Sequence, residues 1–128
     1  MAFKAKLNVG GQDFNVLSFS YGLKQETDAT GRPSSVTRGG MITCTIESTE
    51  NTSFFEWMTN SFENKAGEFT LYKRDSEATL KKLTFTEAYL VSYKEDFDST
   101  GTNPLKETFT MSAREIGVGN GEHTNEWV

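Results

Sequence analysis

Phe3, Ala5, Leu7 and Val9 alternate with Lys4, Lys6 and Asn8, which is the period of a strand with one wet face. Gly10-Gly11 then predicts a turn. Leu17, Phe19, Tyr21 and Leu23 share the next face, and Ser18, Ser20 and Gly22 take the other. Residues 24–35 are polar and rich in turn formers and predict a long loop. A strand resumes over 36–47, with Ile42, Cys44 and Ile46 set against Met41, Thr43 and Thr45.

Residues 51–64 change period. Ser53 followed by Glu56 has the spacing of a capping box, and Phe54, Phe55, Trp57, Met58 and Phe62 fall at helical spacings as a core stripe. Gly67 follows as a stop. Residues 68–74 and 79–94 read as strands joined near Asp75-Ser76. In the second, Leu83 and Phe85 lie on one phase and Ala88 and Leu90 on the other, so a bulge or bend is expected near Glu87. Residues 95–104 form a loop. Over 105–116, Leu105, Phe109, Met111 and Ala113 alternate with Lys106, Thr108, Thr110, Ser112 and Arg114. Residues 118–128 read as an extended C-terminal tail. The pattern predicts a mainly β chain of one domain over 1–128, an antiparallel β-barrel or sandwich with one short α-helix plugging one end.

Composition narrows the function. Hydrophobic residues are 35% of the 128 and charged residues 24%, which suits a folded chain with an adequate core. No run approaches the ~18 apolar residues of a membrane helix, and the N-terminus lacks an apolar stretch of signal-peptide length. A net charge of −5 disfavours nucleic acid, because counterion release needs clustered cations. A single cysteine, Cys44, excludes an intrachain disulfide and suits a reducing compartment, and one histidine, His123, excludes sites that need two.

The chemical motifs are weak. Asp96, Asp98, Gly101 and Glu107 match positions one, three, six and twelve of a calcium loop, but strands rather than helices flank them. Glu95, Asp96 and Asp98 offer paired carboxylates with nothing to place them in a cleft. His123 can be drawn with Ser112 or Ser76 as a triad, but it lies in a glycine-rich tail. Gly117, Gly119 and Gly121 do not form a phosphate loop, and Asn51-Thr52-Ser53 reads as a helix entry rather than a glycosylated sequon. Cys44 reads as a buried structural thiol. No cofactor and no metal are expected, and no enzyme.

One feature asks for more. Ser18/Ser20/Gly22, Thr43/Thr45 and Thr108/Thr110/Ser112 give several strands a second face of small neutral residues where an isolated β-protein usually carries charge. Such faces suit close approach of another chain or a wet, non-sticky cavity. Trp127-Val128 makes an apolar end that packing on a partner, or docking on its own barrel, would explain.

The chain resembles the Hcp (TssD) family, the tube proteins of bacterial type VI secretion systems, in the form found in Bacteroidetes. The residues that carry the resemblance are Phe19-Ser-Tyr-Gly-Leu23, Thr27-Asp-Ala-Thr-Gly-Arg-Pro33, Phe54-Phe-Glu-Trp-Met58, Phe85-Thr-Glu-Ala-Tyr-Leu-Val-Ser-Tyr93 with Phe97, and Glu107-Thr-Phe-Thr-Met-Ser-Ala113, in that order. The resemblance implies a barrel that assembles as a homohexamer into rings. Rings stack into an inner tube within a contractile sheath, which drives the tube, tipped by a spike and launched from a baseplate, into a target cell with effector cargo. It implies no catalysis, a cytoplasmic pool before firing and secretion without a signal peptide. It assigns ring-to-ring contact to Thr27, Asp28, Gly31, Arg32 and Pro33. Ser18, Ser20, Thr108, Thr110 and Ser112 are expected on lumen or subunit-seam faces, and Asp96, Phe97, Asp98, Trp127 and Val128 at contacts with neighbours. A phage-type tail-tube protein is the nearest alternative in kind, and a monomeric ligand-binding β-barrel is the alternative of a different class.

Overall fold

The two-residue alternation becomes a barrel because each strand has one apolar edge to hide. In the computed structural model, which describes residues 4–76 and 78–125, these strands are β1 (Ala5–Val9), β2 (Gln12–Tyr21), β3 (Met41–Glu47), β4 (Asn64–Tyr72), β5 (Thr79–Phe97), β6 (Leu105–Val118) and β7 (Gly121–Thr124), with helix α1 (Ser53–Thr59) between β3 and β4. The sheet order is β3-β2-β1-β4-β5-β6-β7, and β3 also pairs with β6, so six antiparallel strands close on themselves. Along one edge, β6 pairs with β3 through residues 106–112 and with β7 through 115–118. The expected tail therefore contributes a strand: it turns at Gly119, which has a φ of +61°, and returns as β7. Phe3, Trp127 and Val128 lie outside the described residues.

Leu7, Ile42, Ile46, Phe69, Phe85, Phe109 and Met111 fill the interior. Alternation is interrupted at bulges, and each repairs a phase. At Glu87, with a φ of +48°, two residues of β5, Thr86 and Glu87, oppose one of β4, Ala66, so Leu83, Phe85, Ala88 and Leu90 all face inward. The bend expected from the phase slip is there. A second bulge at Val91 returns Tyr93 to the inner face. A third, at Leu17, lies between Val16 and Ser18, so Val16 and Phe19 both reach the core while Leu17 does not share their face.

The helix is shorter than its pattern. Phe54 and Trp57 are buried, with the Phe54 ring stacked on Phe109 at 4.3 Å and edge-on to Phe14 at 4.8 Å. Phe55 and Phe62, expected in the core stripe, are 57% and 87% exposed. Seven residues make barely two turns, and Phe62 lies beyond them, so it cannot share the buried face. The capping box does not form either. Ser53 is already helical, its amide donates to Asn51 Oδ1 (2.8 Å), and Glu56 accepts the Thr52 hydroxyl (2.6 Å).

Candidate functional site

Between β2 and β3 the chain leaves the barrel as an arm, residues 22–40. It is a hairpin in its own right rather than a slack loop. Lys24 and Arg38 exchange both backbone bonds (2.9 and 2.7 Å), Ser34 donates to the Glu26 carbonyl (2.6 Å), and the Ser35 hydroxyl accepts from the Glu26 amide (2.9 Å). The first part of the strand expected over 36–47 is the returning leg of this arm, and β3 starts only at Met41. At the tip, one carboxylate oxygen of Asp28 accepts from the Thr30 amide (2.8 Å), the Thr30 hydroxyl (2.6 Å) and the Arg32 amide (3.2 Å). Gly31, at a φ of +89°, supplies the left-handed step between them. Thr27, across from Pro33, completes the tip. The five residues expected at the ring contact are thus held together in one exposed turn. The Thr30 hydroxyl, then the Thr30 and Arg32 amides, hold the Asp28 carboxyl below the usual aspartate range.

The opposite end carries the same tip chemistry. β3 and β6 run from the Met41–Ser112 pair, beside the arm, to the Glu47–Lys106 pair, beside the 98–104 turn and α1. In that turn Asp98 Oδ1 accepts from the Thr100 amide (3.0 Å) and hydroxyl (2.7 Å), and Gly101 donates to the Asp98 carbonyl (3.2 Å). Asp28-Ala-Thr-Gly31 and Asp98-Ser-Thr-Gly101 are the same turn twice. Asp98 spends its acceptor on its own turn, and Glu107 is 3% exposed inside the barrel, where its carboxylate accepts the Tyr93 hydroxyl at 2.6 Å. Among the described residues no cluster of three metal-ligating side chains forms. Asp96 pairs across to Lys106 and bonds Lys94 (3.5 Å), while Phe97 stands 72% exposed at the end of β5.

Between the two ends lies a belt of hydroxyls. The registers align Ser20, Thr43, Thr110 and Ser92 in one row across four strands, and Ser18, Thr45, Thr108 and Lys94 in the next. Thr43 and Thr110 meet at 3.3 Å and Thr45 and Thr108 at 3.2 Å. Ser112 continues the belt toward Met41. Ser18, Ser20, Thr108, Thr110 and Ser112 thus lie on one belt. Ser92 was missed because a bulge at Val91, invisible to strict alternation, turns it outward. The far side of the barrel differs: a shallow polar depression of about 250 Å³ is lined by Lys6, Asn8, Asp13, Glu68, Thr70 and Lys82 among others.

The remaining reactive groups are structural. Burial pushes the Cys44 thiol up to about 12, which makes it inert. Burial, and then the bond to Glu107, raise Tyr93 well above the phenol range. His123 Nε2 lies 2.9 Å from Asn125 Oδ1, on β7 rather than in a slack tail.

The family model described as hemolysin coregulated protein Hcp (TssD) matches residues 1–128. No curated protein matches the sequence. Among solved structures, Hcp1 from Flavobacterium johnsoniae superposes with a TM-score of 0.92 at 59% identity, covering 95% of this chain and 99% of that one. Hcp1 from Salmonella typhimurium superposes at 0.78 with 15% identity, over 97% and 95% of the two chains. A chain of the PVC sheath–tube complex in its extended state, from an extracellular contractile injection system, superposes at 0.58 with 20% identity, over 91% and 88%. At such identities the last two bear on the fold alone.

Proposed function

This chain belongs to the Hcp (TssD) family of type VI secretion tube proteins, and from that premise we propose that it is the repeating subunit of an inner tube, with six copies closing a ring and rings stacking head to tail. The family is one of structural tube proteins, not of enzymes. The observation that carries the stacking is the arm. It is self-braced, exposed through residues 21–34, and projects from the end of the barrel opposite the Asp98 turn and α1. Two unlike ends are what a heterologous, non-closing contact along an axis requires. Asp28, Arg32 and Pro33 stand at the centre of the ring-to-ring contact. Asp96, Phe97 and Asp98 meet a neighbour at the other end.

The hydroxyl belt serves a face that another chain packs on or slides along, at the subunit seam or in the lumen. It offers few apolar anchors, which suits passage of cargo. A sheath outside, a spike and baseplate at the ends and effectors within are the partners, and the tube leaves the cytoplasm on firing. The barrel interior is occupied by its own aromatic and aliphatic side chains, which disfavours the ligand-binding barrel.

Light scattering after size exclusion, with negative-stain microscopy of the peak, tests the assembly. Rings of about six subunits are expected. A strictly monomeric protein across the concentration range, with no rings on the grid, would overturn the proposal.

A further inference from the structure

The arm is anchored at its root by a residue far away in sequence. Asn125 Nδ2 donates to two carbonyls at once, Gly39 at the root of the arm (2.9 Å) and Ala113 on β6 (3.1 Å). Its Oδ1 lies 2.9 Å from His123 Nε2, and its backbone amide donates to Arg114 (2.7 Å). Turning the amide over would set Oδ1 against two carbonyl oxygens, so the contacts allow one orientation, with His123 donating from Nε2. The Gly40 carbonyl accepts from the Ala113 amide at 2.7 Å. Gly40, in the left-handed region at a φ of +99°, has no room for a side chain, since a Cβ there would meet the Ala113 carbonyl, while one on Gly39 would push aside the end of the Leu23 side chain and crowd the Gly22 carbonyl.

We propose that Asn125, oriented by His123, is a positioning residue that sets the attitude of the arm, so that β7 and the arm move as one body. The proposal rests on reading the arm as the ring-to-ring contact. Leverage makes the root matter. Eight residues from Lys24 to Gly31 extend about 25 Å, so a swing of about 10° at the root moves the tip by about 4 Å, more than a docked contact tolerates.

The test uses the full chain with spin labels at Ala29→Cys on the tip and Lys82→Cys on the barrel, Cys44 being buried. Asn125→Ala should broaden the distance distribution between the labels at least twofold. It should also speed hydrogen exchange of the Lys24, Ser34 and Arg38 amides about tenfold, with the β5 and β6 amides unchanged. His123→Ala should act in the same direction, and His123→Gln, which restores a donor, should return toward the parent. If Asn125→Ala does not fold, the His123 pair decides. An unbroadened distribution with unchanged arm exchange overturns the proposal. A broadened distribution with undiminished ring stacking upholds the positioning role and removes the arm from the stacking contact instead.

Discussion

Among the described residues Glu107 is the one buried side chain of charged type, and Tyr93 explains how it is tolerated. A buried acceptor that loses its donor costs its full desolvation, whereas an apolar pair of similar shape is nearly neutral. Tyr93→Phe should therefore lower unfolding free energy by about 1–3 kcal/mol. Tyr93→Phe with Glu107→Leu should recover most of that. Urea titration at constant slope reads both, and equal losses in single and double variants would sink the account. Residue 107 falls in phase with Phe109 and Met111, but a charged side chain there does not announce itself as buried, and only the structure supplies its partner, because pairing of β5 with β6 brings the two together.

At the scale of elements, the arm is ordered largely by Asp28. Its pKa is lowered in the folded state, so its bonds contribute fully above the ordinary value of 3.8 and are lost as pH falls through the lowered value. Arm amides should lose exchange protection in that acid window while β3 and β6 stay protected. Asp28→Asn keeps an acceptor but cannot titrate, and should remove the pH dependence; a persisting dependence would place the titrating group elsewhere. The existence of the arm and of the β4–β5 and β5–β6 hairpins was legible from turn-forming residues, and the Glu87 bulge from a slip of phase. The end of α1 was not legible, since Phe62 keeps helical spacing after the helix has stopped. Nor was β7, since Gly-rich residues 117–121 look like linker until Ile116 and His123 are seen to pair. The repeated Asp-x-Thr-Gly turn stands open in the sequence at 28–31 and 98–101.

At the scale of the molecule, the two ends and the belt make separable predictions. Arg32→Glu reverses an exposed charge on the arm tip and should leave the barrel's melting temperature within a few degrees of the parent. Stacking of rings, followed by scattering and microscopy, should fall sharply; normal tubes would remove Arg32 from the contact. Thr110→Lys puts a cation in the middle of the neutral belt. At a seam it should reduce the particle below six subunits, and in a lumen it should spare the ring and cut export of cargo. A variant that assembles and exports normally would assign the belt to neither face.

The bond between Thr43 and Thr110 spans 67 residues of sequence. Closing that β3–β6 seam forfeits a large loop entropy before any contact repays it, which places this step late on the folding path. Until then β3 presents an unpaired edge on which Glu47, at its far end, is the one charge. The nascent subunit is thus most adhesive before it is finished, and the ribosome exposes residues 41–47 well ahead of 106–112. Slower closure of the seam should therefore favour strand exchange between copies, because the open edge of β3 then persists for longer.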